Sequence, residues 1–297
     1  MIERTPVLNA VTHIIMFTGL LLLLLPLWIV VVASTHDFAT VNRVPMPLLP
    51  GGHFLENFAT IWTRSNFGPK MLNSLIVAVG VTAGKIALAS LSAFSIVFFR
   101  YRMRMVLFWL IFMTLMLPLE VRIVPTYAVA ADVLRPFRQI FGLAGVQLGF
   151  PEVNLLNSYA GLILPLVATA TGTFLYRQFF LTIPNELLEA ARMDGAGPLR
   201  FFWQILIPLS RTNMAALATI MFVYAWNQYL WPLLITTKPE YLTAIVQLNR
   251  IVPGATAGQP PVWNEAMVAT LMVMAPPLLV VIATQRWFVR GLIAADK

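Results

Sequence analysis

PNELLEAARMDGAGPLRFFWQILIP, residues 184–208, is a polar interruption in a chain otherwise poor in charge. Pro184 has the fixed φ of a first helical turn, and Glu186 and Glu189 place carboxylates where the macrodipole favours them. Leu187, Leu188, Ala190 and Ala191 supply an apolar face, and the alanines let a partner surface come close. Asp194-Gly195 stops the helix, with the glycine free to turn left-handed. Pro198 starts a second helix, whose Phe201, Phe202, Trp203 and Ile205 form an interfacial surface leading to a break at Pro208. The stretch is a helix–turn–helix along a membrane face. It either docks a partner from the water side or rests on the headgroups.

The flanking sequence decides the solvent. Of 297 residues, 59% are hydrophobic and 11% charged, with a mean hydropathy of +0.79. Soluble domains carry about 25% charge, so these charges are too few to coat a water-facing surface. Long apolar stretches make the chain an all-α integral membrane protein rather than a β-barrel. The net charge of +8 comes from short basic clusters beside apolar spans, which is topology and not a nucleic-acid surface. The absence of cysteine excludes disulfides and thiol chemistry. His13, His36 and His53 have no metal-ligand spacing, so no metal is expected. No nucleophile triad or carboxylate pair supports a membrane-embedded lipid or glycan enzyme, the rival class of function.

Six transmembrane helices are expected, at about 11–34, 71–99, 105–131, 158–180, 213–236 and 265–287, in a single domain covering 1–297. The first follows Arg4 and is too long for a signal-peptide core of ~7–15 residues. A loop with Pro45, Pro47, Pro50 and Gly51-Gly52 follows it, with one short helix at Leu55–Arg64. Arg100, Arg102 and Arg104 fix the turn between the second and third spans on the cytoplasmic side. Both termini, the basic tail at Arg286, Arg290 and Lys297, and a segment at 181–212 then share that side. Pro118 and Pro125 favour kinks in the third span, and the region Asp132–Asn157 is a Gly- and Pro-rich outer loop.

Glu189-Ala190-Ala191, three residues, Gly195, nine residues and Ile205-Leu206-Ile207-Pro208 resemble the EAA motif of ABC-importer permeases, with Ile207 where leucine is usual. The resemblance covers nearly the whole chain. LSAFSIVFFRYRMR (91–104), LMLPLEVRIVPTY (115–127), SYAGLILPL (158–166) and YAWNQYLWPLLIT (224–236) are similar to MalG-like carbohydrate permeases, above all the branch serving sn-glycerol-3-phosphate importers. The region Leu134–Glu152 is longer than that pattern. The resemblance implies a type I ABC-importer permease fold in a bacterial inner membrane. It implies a coupling helix in which Glu189, Ala190, Ala191, Asp194, Gly195, Ile205 and Pro208 engage a cytoplasmic ATPase. The implied partners are a homologous permease in a heterodimer, two ATPase subunits that bind ATP and magnesium, an extracytoplasmic solute-binding protein and membrane lipid. No cofactor is expected in this chain and no catalysis by it. The implied cargo is sn-glycerol-3-phosphate or glycerophosphodiesters, with a neutral sugar or oligosaccharide as the alternative.

Other residues bear on the translocation path. Gly80-Val-Thr-Ala-Gly84-Lys85 is one residue short of a P-loop and has Ile86 in place of serine or threonine. Spaced four apart on a membrane helix, the two glycines are a packing face. Lys85, near mid-span, carries an insertion penalty of ~2.5–3.5 kcal/mol, so it faces protein or a wet cavity. It either attracts an anion or tethers its helix to a carbonyl or acid, and the tether is preferred. Arg122 lies ~24 Å or more along the third span from Arg104, near the outer interface. It either meets a phosphate bidentately or snorkels to headgroups; Glu120, two residues away, does not face it. Asn227 and Gln228 either line the path or form interhelical hydrogen bonds.

Overall fold

The computed structural model describes residues 6–114, 119–143, 151–168, 170–251 and 262–295, side chains at 119–120 and 287–295 excepted. In chain order its helices are α1 (Pro6–Ser34), α2 (Phe38–Val41), α3 (Phe54–Arg64), α4 (Phe67–Phe98), α5 (Arg104–Met113) and α6 (Leu119–Ala131). Next come α7 (Arg135–Leu143), α8 (Tyr159–Val167), α9 (Ala170–Leu181), α10 (Asn185–Met193) and α11 (Pro198–Phe201). A π-helical turn, Phe202–Leu206, leads into α12 (Ile207–Leu209). The chain finishes with α13 (Arg211–Trp226), α14 (Leu230–Ile235), α15 (Ala244–Ile251) and α16 (Trp263–Ala295). No strand occurs among the described residues.

α1, α4 and α16 are each long and apolar enough to cross a membrane, and two bent pairs, α8 with α9 and α11–α12 with α13, bring the number to five. α1 shows why burial is a poor guide here: its most apolar window is wholly unburied within the chain. Leucines exposed all round a helix belong in hydrocarbon, where they cost nothing. Within the expected third span the described residues form α5 and α6, and residues 115–118 between them lie outside those described. Pro118 lies outside the described residues, and α6 continues through Pro125, as membrane helices allow when neighbours re-satisfy the freed carbonyl. The fifth expected span is divided, at Asn227–Tyr229 between α13 and α14. α3 begins one residue before its expected start. α7 and α15 occupy stretches expected as loops, and both are strongly two-faced, a pattern masked by their brevity.

The chain forms two compact units. The first, Met1–Pro69 with Gln247–Ala275, is fastened by Asn57. Its Nδ2 donates to the carbonyls of Ser34 at 3.0 Å and His36 at 2.8 Å, and its Oδ1 accepts from Asn264 at 2.8 Å. A buried amide must find such partners, and these three join the end of α1, α3 and the start of α16.

The second unit, Lys70–Val246 with Pro276–Lys297, holds two apolar clusters. One gathers Val77, Ala78 and Val81 of α4 with Leu162, Leu166, Phe222, Trp226 and Trp231. The other gathers Ala89, Ala93 and Phe94 of α4 with Tyr176, Phe180, Leu217, Met221 and four residues of the 184–208 stretch. α4 thus runs past both. Gly80 and Gly84 give α8 room: a Cβ on either would stand 2.7 Å from Ile163 or Val167, so the packing reading of these glycines holds. Beside them, Asn73 Nδ2 donates to the carbonyls of Glu240 and Leu242 at 2.6 and 2.9 Å and its Oδ1 accepts from the Tyr159 hydroxyl at 2.7 Å.

Candidate functional site

The coupling stretch is built around a helix end. α10 terminates with Gly195 N–H donating to the carbonyl of Arg192 at 3.0 Å and Ala196 N–H to that of Ala191 at 2.8 Å. With Gly195 at φ +71°, this is the Schellman arrangement, whose two bonds satisfy carbonyls a helix end would otherwise leave unpaired. The geometry explains the spacing. Ala191 supplies the carbonyl for the longer bond, and four residues on the chain needs a left-handed residue, which glycine takes without a Cβ clash. Pro184 stands just before the first helical residue.

α10 has two faces. Ala191, 4% exposed, and the half-buried Leu188 and Ala196 turn inward to the second cluster. Glu189, Ala190, Asp194 and Gly195 are exposed, as are Leu187 and, at 84%, Met193. The helix after the turn continues this division. Phe201 and Phe202, expected on an interfacial surface, are buried: Phe202 lies 5.0 Å from the Phe94 ring and Phe201 5.4 Å from that of Phe98. Apolar rings placed near the end of α4 lower their free energy by leaving water, about 25 cal/mol per Å². Leu199 and Trp203, 69% and 65% exposed, stay outside. Ile205 packs on the same cluster.

The helix does not break at Pro208. It passes through the proline and bends by 77° into α13 around Ser210, whose hydroxyl donates to the Leu206 carbonyl at 2.6 Å. The accommodation comes earlier, in the π-helical turn at Phe202–Leu206, where Ile207 N–H reaches back five residues to the carbonyl of Phe202. A cavity of about 140 Å³ remains between α10 and the end of α4, bordered by Leu188, Ala191, Phe94 and Phe98.

The membrane-buried charges lie on the other part of this unit. Lys85, 5% exposed, sits on α4 between the two clusters, about 27 Å along the helix from Phe67 and about 20 Å from Phe98. Its ammonium is 4.3 Å from the centroid of the Tyr224 ring on α13. It makes no hydrogen bond or ion pair with any described residue, so the preferred carbonyl or acid tether has no counterpart there; an aromatic face takes its place. Arg122 lies close enough for its charge to act on Lys85. Its Nε is buried and has no hydrogen-bond partner among the described residues. The expected place of Arg122, near the outer interface, was counted along one helix from Arg104, of which residues 115–118 lie outside the described residues. A desolvated cation–π contact contributes about 2 kcal/mol, whereas desolvating one ion costs several. The ring alone does not compensate Lys85.

Asn227 is exposed at the end of α13 and Gln228 Nε2 donates to the Tyr224 carbonyl at 3.2 Å, within its own segment rather than across helices. Tyr224 was missed as the partner of Lys85, because spacing along one helix carries no information about which ring another helix presents.

The family model for "Binding-protein-dependent transport system inner membrane component" matches residues 85–294. The chain is 47% identical over 303 residues to the sn-glycerol-3-phosphate transport system permease protein UgpE of Yersinia pestis bv. Antiqua (strain Antiqua), covering 100% of both. The protein of the same name from Brucella melitensis biotype 1 is 46% identical over 308 residues, again at 100% coverage of both. A bacterial ABC transporter involved in the import of the acidic polysaccharide alginate has a chain of the same fold, with a TM-score of 0.77 at 19% identity over 97% of this chain and 99% of that one. Six spans are in keeping with the family. This chain, a multi-pass inner-membrane permease, belongs to the family of binding-protein-dependent transport system inner membrane components.

Proposed function

We propose that this permease is one of two homologous membrane subunits of an ATP-driven importer of sn-glycerol-3-phosphate and glycerophosphodiesters. The observation that carries the motor connection is the two-faced α10: a Schellman-capped helix with Glu189, Ala190, Asp194 and Gly195 outward and Ala191 buried in the cluster shared with α4, α9 and α13. In this reading the outward face sits in a cleft of a separate ATPase subunit, one of two, which binds ATP and magnesium. When ATP closes the ATPase dimer, α10 moves, and the Phe94–Phe202 and Phe98–Phe201 contacts carry α4 with it. Ile205 and Pro208 transmit the same displacement into α13. A path opening alternately to either side, with Lys85, Arg122, Asn227 and Gln228 nearby, is refilled by an extracytoplasmic binding protein. Both termini and α10 lie on the cytoplasmic side, an orientation supported by Arg100, Arg102 and Arg104 in the short connection after α4.

The cargo assignment is supported by 46–47% identity along the whole of permeases named for sn-glycerol-3-phosphate. Uptake by the reconstituted complex tests it. Labelled sn-glycerol-3-phosphate should enter in an ATP-dependent manner and be displaced by glycerophosphodiesters; preference for a maltose-like neutral sugar would overturn the assignment.

A further inference from the structure

We propose that Lys85 and Arg122 form a subsite for the phosphate of the cargo in its dianionic state, with Tyr224 as the residue that positions the Lys85 ammonium. The proposal rests on the glycerol phosphate reading above and adds where in this chain the phosphate is met.

Three observations converge. The two cations come from different helices, α4 and α6, and a third helix, α13, supplies the ring that holds one of them at 4.3 Å. Neither cation has a carboxylate partner among the described residues, and the Nε of Arg122 is buried with no acceptor. Lys85 is too far along α4 from either helix end to reach headgroup water with its own side chain. Like charges brought together inside a span are costly unless something of opposite sign visits them. A structural ion pair would have supplied one cation and one acid; among the described residues this arrangement supplies two cations.

The chemistry that completes it is a phosphomonoester. It carries close to two negative charges at neutral pH and three strong acceptor oxygens, matching one free guanidinium N–H and an ammonium whose donors are unused. A neutral sugar offers hydroxyls, which leave both charges uncompensated. A phosphodiester carries a single charge and satisfies the pair by half. The ring of Tyr224 occupies one side of the ammonium and is itself 38% exposed.

The test uses the full complex, with partner permease, ATPase and binding protein, in proteoliposomes. Lys85→Met and Arg122→Gln should each lower uptake of sn-glycerol-3-phosphate about tenfold or more, and uptake of glycerophosphocholine by a clearly smaller factor. Lys85→Arg and Tyr224→Phe should retain most monoester uptake, whereas Tyr224→Leu should follow Lys85→Met. Equal losses on both cargoes, or unchanged uptake of the monoester in Arg122→Gln, would overturn the subsite. So would loss of co-purified phospholipid from Lys85→Met with normal uptake, since the phosphate bound would then be a headgroup. Arg122 is only half-buried, so Arg122→Gln decides the matter if Lys85→Met fails to assemble. A wild-type complex that moves neutral sugar and no glycerol phosphate overturns the cargo reading itself, and is distinguished from failure of the subsite by the wild-type measurement alone.

Discussion

The inward face of α10 packs with Phe94, about 14 Å along α4 from Lys85 in the same unit, yet the two regions treat polar groups in opposite ways. At the C-terminal end of α10 the carbonyls of Arg192 and Ala191 are met locally, by Gly195 and Ala196 N–H, and rings close over Ala191. At Lys85 the demand is left standing, with a ring face where an acceptor would be and a second cation nearby. A segment that transmits force gains from being satisfied, because a stiff, capped helix moves as a body. A segment that must bind and release cargo gains from being unsatisfied, because the ligand then supplies what the protein withholds.

Perturbing the satisfied region should give the largest effects. Phe202→Ala removes a fully buried ring from the contact between the coupling stretch and Phe94. Truncations of this kind cost about 3–5 kcal/mol, so the purified permease should lose thermal stability, and uptake should fall further than ATPase binding. Uptake that survives while stability falls would show that force reaches α4 by some other contact.

Next in size is a graded series at Gly195. Its φ of +71° is closed to proline, which also removes the N–H bonded to Arg192; together these cost about 3 kcal/mol or more. Gly195→Ala should cost about 1–2 kcal/mol, and Gly195→Asn less, since asparagine visits the left-handed region most readily. Loss of coupled ATP hydrolysis and uptake should follow the order Pro, Ala, Asn. An order set by side-chain size instead would move the role of Gly195 from its backbone to close approach of the ATPase.

Gly84→Leu tests the frame that carries both regions. A Cβ there already meets Val167 at 2.7 Å, and overpacking costs about 1–3 kcal/mol. Because α4 and α8 are pressed apart one residue from Lys85, monoester uptake should fall together with thermal stability. A fall in uptake with stability intact would show that Gly84 borders the path.

These regions also differ in how far the residues announce them. The helix end at Gly195 was legible because its physics is local: a capped helix end needs a left-handed residue at a fixed distance, and Asp194-Gly195 after Ala191 supplies it. Phe201 and Phe202 were misplaced on the surface because a ring beside a membrane segment reads equally as interfacial or buried, and only the approach of Phe94 and Phe98 decides. The span at α13–α14 was legible as an apolar stretch but not as a divided helix, since hydropathy averages over a break. Lys85 was legible as an anomaly, while its neighbours Arg122 and Tyr224, on other helices, were not legible as such at all.

The smallest expected effect on stability is at Trp203. With 65% of its surface exposed and its ring packed only edge-on to Phe202 at 5.2 Å, Trp203→Ser should leave the melting temperature of the isolated permease nearly unchanged, since exposed substitutions stay within about 0.5 kcal/mol. An exposed tryptophan one residue beyond two buried phenylalanines is nonetheless costly to keep in water, and aromatic anchors dominate protein interfaces when a partner covers them. If the ATPase covers it, Trp203→Ser weakens ATPase retention on the permease by about tenfold or more, corresponding to a hot-spot loss of about 1.4 kcal/mol or more, while Phe202→Ala acts through stability. If the ring instead rests among headgroups, retention is unchanged and the quenching of its fluorescence by brominated lipid is strong. The two measurements separate a docking face that extends from α10 across the turn to Trp203 from one that ends at Gly195.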